Sequence, residues 1–372
     1  MRNIHQRTCS VIPQHMLQHL ATHGDADARK NVEATMRQTV QIVQERSAAT
    51  IRAPGVPSAA DKRRAVYDAR HGRDLPGTLV LNDPRAVSND IEAREAFEGS
   101  GATYDFFDKG FFRNSIDGRG MPLVSTIHYG RKFCNAMWDG RQMIFGDGDG
   151  KLFNRFTAAL DVIAHELTHG VTQYSAGLDY SGQSGALNEH ISDAFGIMIK
   201  QQALGLIASQ SDWLIGVGLL GPDVRGHAIR SMKAPGTAYD DPALGRDPQP
   251  AHMRDYVDSA DDDGGVHINS GIPNHAFYQA SNEIGGVVWP VMGRIWYRVV
   301  TAKLFPHAGF QDFAMATVTT AGELFGIGGA IQAALFNAWS RVGLPVPASL
   351  LRRTQSLRNG TRRDGPTPRQ LG

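Results

Sequence analysis

The sequence predicts an α+β chain in which a β-rich N-terminal half is followed by a helical C-terminal half. Two observations predict it. From Ala65 to Gly150, short apolar runs alternate with polar residues around Gly and Pro turns, as in RAVYDARHGRDLPGTLVLND, VSTIHYG (124–130) and RQMIFGDGDG (141–150); a period of two bounded by turn residues is the signature of strands and hairpins. After Lys151 the period lengthens, with Leu160, Ile163, Leu167 and Val171 at helical spacing.

Residues 1–50 form a first unit, where Met16, Leu17, Leu20, Met36, Val40 and Val43 recur at the spacing of short amphipathic helices. IRAPGVPSAADKRR (51–64) reads as an exposed linker of the kind proteases cut. Within 65–150, FCNAMWDG (133–140) is a short strand ending in an Asp-Gly turn, and residues near 90–112 read as helix. LDVIAHELTHGVTQYSAG (160–177) is a helix with Gly177 as its expected stop, and SGALNEHISDAFGIMIKQQALG (184–205) opens with Ser and closes with Gly as a second. Stretches such as NHAFYQASNEIGG and VVWPVMGRIWYRVVTAKL continue the helical pattern. The tail from 345 carries six Arg and four Pro among few apolar residues and reads as disordered. The expected units are therefore 1–50, a linker at 51–64, lobes at 65–183 and 184–345, and a basic tail at 346–372.

With 372 residues, 41% hydrophobic and 20% charged, the chain can build two soluble cores. Lys plus Arg (38) balance Asp plus Glu (37), so no global field argues for nucleic acid, and no apolar run is long enough to span a membrane. The first twenty residues lack a continuous apolar stretch, so cytoplasmic synthesis without a classical signal peptide is expected, with any export by another route. Two cysteines, Cys9 and Cys134, are too few for a disulfide framework. A monomer is expected.

His165-Glu166-Leu167-Thr168-His169 is the informative motif. Two His four apart stand one turn apart on one helix face, so both imidazoles reach one ion, and Glu166 between them can take a proton from water at the metal. Such a pattern arises by chance about once in a hundred chains of this composition, but two imidazoles and a carboxylate buried in an apolar helix without a partner would be costly. A third ligand must come from elsewhere, and Glu189 in Asn188-Glu189-His190-Ile191-Ser192-Asp193 offers one. Asp193, one turn on, is placed to accept a hydrogen bond from a ligand imidazole; a solvated acidic face explains the same pair as well. His190 points away and reads as a bystander.

With HELTH-x19-E followed by SDAFG, the sequence from about 65 to 345 resembles the thermolysin-like neutral metalloproteases, and SVIPQHML in the first unit resembles the short propeptides of the protealysin-like subgroup. The resemblance implies a bilobal fold with the zinc helix at the floor of a cleft, a Zn²⁺ on His165, His169 and Glu189, and Glu166 as general base. It implies that Asn135 and Ala136 pair with an extended substrate, that Tyr180 and His267 donate to the oxyanion with Asp262 orienting His267, and that the Arg230 fork binds a substrate carbonyl. Phe153, Phe156, Val162 and Ile229 would line an apolar S1′ pocket. The implied activity is endopeptidase cleavage on the amino side of bulky apolar residues of a peptide or protein, with residues 1–50 as an intramolecular inhibitor.

Departures from the family pattern matter. Asp161 and Asp212 are retained from its double calcium site, but Lys200, Leu214 and Val217 stand where three carboxylates would be, so Lys200 is expected to pair with Asp161 in place of the ions; single Ca²⁺ sites elsewhere stay open. Phe156 replaces the usual leucine and would narrow S1′ toward Leu, Ile or Val. Cys9 could ligate zinc in the precursor, although an inert small residue is the commoner role. The activation cut is expected between about 46 and 62. Two competing functions remain: a catalytically silent zinc-binding protein of the same fold, and a zinc aminopeptidase, whose Gly-x-Met-Glu-Asn-type motif is lacking.

Overall fold

The computed structural model describes residues 9–48 and 62–352, with only the backbone at 9, 43 and 45–48. The chain opens with β1 (Cys9–Ser10), α1 (Gln14–His23) and α2 (Ala26–Ala48). The N-terminal lobe follows: β2 (Arg64–Asp68), β3 (Thr78–Leu81), α3 (Ile91–Phe111), β4 (Leu123–Ile127), β5 (Ala136–Trp138) and β6 (Met143–Phe145). These strands form one sheet in the order β1-β5-β6-β4-β2-β3, parallel at β6/β4/β2 and antiparallel elsewhere. β5 is therefore not the edge: β1 covers it, with Cys9 opposite Trp138 and Ser10 opposite Met137.

Asp90 starts α3 by accepting the backbone N–H groups of Glu92 and Ala93, which have no partner inside the helix. Ala93, Ala96, Phe97, Ser100, Thr103, Tyr104 and Phe107 repeat at three and four residues and are buried.

α4 (Leu160–Gln173) carries the HExxH motif and ends at Gln173, before Gly177. The chain turns at once, and Gly177 closes that turn with its N–H on the carbonyl of Thr172. α5 (Gly182–Leu204) packs along α4. Gly196 allows the approach, since a Cβ there would stand 2.6 Å from the carbonyl oxygen of Asp161. Two small strand pairs follow, β7 (Leu214–Ile215) with β8 (Arg230–Ser231) and β9 (Asp240–Asp241) with β10 (Gly245–Arg246).

The rest is helical: α6 (Asp262–Asn269), α7 (Gly271–Ile284), α8 (Arg294–Ala302), α9 (Phe310–Phe325) and α10 (Ala330–Arg341). Trp296 anchors their core, with its ring centroid 5.0 Å from Phe277 and 5.5 Å from Phe313. His190 is satisfied there, with Nδ1 on Asn274 at 2.8 Å and Nε2 accepting from the Trp296 indole at 2.9 Å, which is the bystander role expected of it.

Two expected boundaries shift. The linker's last residue, Arg64, already belongs to β2, while 49–61, most of the span 46–62 in which the activation cut was expected, lie outside the described residues. The tail expected to be disordered from 346 packs at its start: Val346 is buried, and the carbonyl of Leu350 accepts from Gln332 at 3.0 Å. Residues 353–372 lie outside the described residues. No described helix is long and apolar enough to cross a membrane. One contiguous apolar core joins both lobes and includes Val11, Ile12, Met16, Leu17 and Leu20 of the first unit.

Candidate active site

Three side chains from two helices converge. His165 Nε2 and His169 Nε2, one turn apart on α4, are 3.0 Å from each other. Glu189 on α5 brings Oε2 to 3.3 Å from His165 Nε2 and Oε1 to 3.4 Å from His169 Nε2. All three residues are buried. A tetrahedral zinc with bonds of about 2.0–2.1 Å sets its ligands about 3.3 Å apart, so these spacings fit that ion.

The outer partners explain why a cation is wanted. His165 Nδ1 lies 2.8 Å from Asp193 Oδ1. His169 Nδ1 lies 3.0 Å from Asn188 Oδ1 and 3.1 Å from Ser192 Oγ. With each Nδ1 carrying its hydrogen toward these acceptors, both Nε2 lone pairs face one another and Glu189. Glu189 Oε2 has no hydrogen-bond partner among the described residues. Burial pushes the His169 imidazole down to about 3, the neutral form a ligand needs. Burial lowers His165 too, but Asp193 and Glu189 outweigh it and lift it to about 9. Against its own burial, Glu189 is held well below the usual carboxylate range by the surrounding imidazoles of His267, His169 and His165.

Glu166 is buried beside the triad, with Oε2 accepting the Trp138 N–H at 2.9 Å. Burial raises its carboxyl to about 8, with Glu189 adding to the rise and His165 opposing it. His267 Nδ1 is 2.6 Å from Asp262 Oδ1, and the Asp262 Oδ2 accepts the His267 N–H at 2.9 Å. Burial works against a charged His267, but Asp262 and Glu189 prevail and raise it to about 9. Left-handed backbone at Asp263, Gly264 and Gly265 turns the chain so that His267 comes back onto Asp262. The Tyr180 hydroxyl bonds to Glu189 Oε1 and lies 3.3 Å from His267 Nε2.

The expected Arg230 role is corrected in one respect. Its fork is occupied by Asp193, with Nε on Oδ2 at 2.9 Å and Nη2 on Oδ1 at 2.8 Å. Only Nη1 is directed to a backbone carbonyl, that of Val11 at 3.4 Å. Asp193, also held by Asn274 at 2.8 Å, thus couples a triad imidazole to this arginine. Asn135, one residue before β5, accepts the Ile12 N–H on Oδ1 at 3.0 Å, and the Ala136 carbonyl accepts the Val11 N–H at 3.0 Å. The Ser10 carbonyl is 3.1 Å from His267 Nε2. Phe153, Phe156, Val162 and Ile229 are all buried in the apolar core that also holds Val11. Asn188, Ser192, Asn274 and the Trp138 N–H were not among the expected site groups. The first two could have been found, since Asn188 and Ser192 are an i, i+4 pair one residue ahead of Glu189 and Asp193.

The family model described as the thermolysin metallopeptidase catalytic domain matches residues 35–173, and that of its α-helical domain matches 176–344. The chain belongs to the thermolysin metallopeptidase family. It is 46% identical over 346 residues to an extracellular metalloprotease of Pectobacterium carotovorum subsp. carotovorum, covering 92% of this chain and 98% of that one. It is 40% identical over 271 residues to a thermolysin of Alicyclobacillus acidocaldarius subsp. acidocaldarius, covering 70% and 47%. The solved precursor of protealysin, a metalloproteinase from Serratia proteamaculans, superposes with a TM-score of 0.81 at 45% identity, covering 90% and 99%.

As a thermolysin-family member the chain is a metalloendopeptidase with a β-containing N-terminal and a helical C-terminal domain, and the family implies zinc. His165, His169 and Glu189 are the residues that fit it. Lys200 Nζ, expected to pair with Asp161, lies 3.2 Å from Asp161 Oδ2, 3.1 Å from both Asp212 oxygens and 3.0 Å from the Leu214 carbonyl. The Cys9 thiol, weighed above as a zinc ligand, lies outside the described side chains.

Proposed function

We propose that this chain is a zinc-dependent neutral endopeptidase, made as a latent precursor and cutting on the amino side of bulky apolar residues. The observation that carries the reading is the convergence of the His165–His169–Glu189 triad with Glu166, His267 and Tyr180 at the point where residues 9–12 cross.

Zinc, when bound by the triad, supplies a Lewis acid that brings the pKa of water to about 7. Glu166 takes the proton of the attacking water on its free oxygen and delivers it to the departing amine. His267, kept protonated by Asp262, and Tyr180 donate hydrogen bonds to the oxygen on which charge develops, each such donor being worth about 3–4 kcal/mol. Asn135 Oδ1, the Ala136 carbonyl and Arg230 Nη1 hold the substrate backbone in extended register.

The same groups are engaged by the first unit: Asn135 by Ile12, Ala136 by Val11, His267 by Ser10 and Arg230 by Val11. A chain lying there excludes a substrate, which supports residues 1–50 acting as an intramolecular inhibitor. Full burial of Val11, Ile12, Met16, Leu17 and Leu20 holds it with roughly 1.5–3 kcal/mol each before chain entropy is subtracted. The reading extends to S1′, where Phe156 would favour Leu, Ile or Val over Phe, and to Lys200 standing in for the double calcium site. It places the enzyme's action outside the cell, the location named for the Pectobacterium relative.

The test is casein hydrolysis by the purified chain before and after loss of residues 1–50. Activity should appear with that loss, vanish with a zinc chelator and return with zinc. A zinc-loaded, trimmed chain that leaves casein intact would instead indicate a silent zinc-binding protein. A peptide library in which Phe ranks well above Leu after the cut would overturn the S1′ assignment.

A further inference from the structure

A second group of metal-ligating side chains stands in the N-terminal lobe, on elements separate from the zinc helices. His71 lies in the turn after β2, His128 just past β4, Asp147 past β6, and Glu92 in the first turn of α3. The turn is tied to the strand end, because the His71 N–H donates to the His128 carbonyl at 2.8 Å. His71 Nδ1 is 3.2 Å from Asp147 Oδ2, and His128 Nδ1 is 2.9 Å from Asp147 Oδ1 and 3.6 Å from Glu92 Oε2. One ligand atom from each of His71, His128 and Asp147 lies within 4.8 Å of the others.

Two features beyond proximity point to a cation. Glu92 is only 8% exposed, and its Oε2, directed at this group, has no hydrogen-bond partner among the described residues. Burial and the neighbouring Asp147 carboxylate push the Glu92 carboxyl up to about 8 against the opposing His128, so a divalent ion at this point would relieve a carboxyl that is otherwise held with its proton. On its other side, His128 Nε2 is 2.9 Å from Asp90 Oδ2. That carboxylate takes the Nε2 hydrogen, while Nδ1 bonds Asp147 Oδ1 at 2.9 Å; a metal would displace the Nδ1 hydrogen and leave a ligating histidine with its orienting carboxylate.

We propose that His71, His128, Asp147 and Glu92 form a second metal site for a first-row divalent cation of the zinc type. Two imidazole nitrogens with two carboxylates suit such an ion, whereas calcium takes six to eight oxygens. Glu92 stands outside the close group of the other three but 3.6 Å from His128 Nδ1, and as fourth ligand it would close the site in a structural role, clamping the turn after β2, the ends of β4 and β6, and the start of α3. His71 and Asp147 open onto a groove between α2 and the sheet, which gives the ion a way in.

The test is zinc stoichiometry by elemental analysis on the full chain carrying Glu166→Ala, which blocks self-cleavage, after dialysis against trace zinc. Two zinc ions per chain are expected in this parent. One is expected after His71→Asn, which removes the ring nitrogen but tolerates the left-handed turn, and one after His169→Ala, which removes the first site. The double variant should hold none. Added zinc should raise the melting temperature of the parent and of His169→Ala, and leave that of His71→Asn with His169→Ala unmoved. A parent holding one zinc, or a count and melting response unchanged by His71→Asn, would overturn the second site without touching the first.

Discussion

The Glu166 carboxylate on α4 accepts the backbone N–H of Trp138 on β5 at 2.9 Å, and its other oxygen is buried without a partner among the described residues. One hydrogen bond thus ties the zinc-motif helix to the strand that β1 covers, and leaves one oxygen free to receive a proton. Glu166→Ala should keep its zinc, because no triad ligand is touched, while turnover falls about 10²–10⁴-fold. Elemental analysis and casein hydrolysis read the two effects separately. Near-normal turnover in this variant would exclude Glu166 as the base.

Lys200 neutralises a buried carboxylate. Burial pushes the Asp161 carboxyl up, and the nearby ammonium is the largest influence holding it down. Lys200→Met strands that carboxylate and should destabilise the protein by about 3–5 kcal/mol in denaturant unfolding. A calcium-selective chelator should leave the wild-type midpoint where it is. Two tightly held calcium ions found by metal analysis would refute the replacement.

His15, on α1, gives docking of the first unit a pH dependence. Burial pushes its imidazole down to about 4, with His267 and Arg230 acting the same way and Asp262 opposing. Its Nε2 is 3.1 Å from the Tyr239 hydroxyl. Released, the ring takes up a proton near 6.5; docked, only near 4. The undocked chain therefore binds more protons in that window, and docking weakens as pH falls through it. Relative to His15→Gln in the same Glu166→Ala background, stability should drop by up to about 1.4 kcal/mol per pH unit below about 6.5. A pH-independent gap in unfolding free energy would contradict this.

Cys134 is buried, and its N–H donates to Thr35 Oγ on α2 at 3.1 Å. Burial raises the thiol, leaving little thiolate at neutral pH. Alkylation of Cys134, followed by peptide mass spectrometry, should be negligible in the intact precursor and at least about tenfold faster once residues 1–50 are gone. Equal rates in the two forms would show that α2 is not its cover.

The spacing of His165 and His169 determined that two imidazoles share one face, and the spacing of Glu189 and Asp193 determined that two carboxylates stand one turn apart on another. These are consequences of 3.6 residues per turn, and they hold wherever the helices lie. Sequence could not show that Asp193 also engages the Arg230 fork or that Trp138 aims Glu166, because these partners meet only when α4, α5, β5 and β8 pack. The cluster of His71, Glu92, His128 and Asp147 is the extreme case, since each comes from a different element and no period connects them. Local periodicity is written in the chain, whereas the meeting of distant side chains is decided by how buried faces stack, which only the tertiary structure determines.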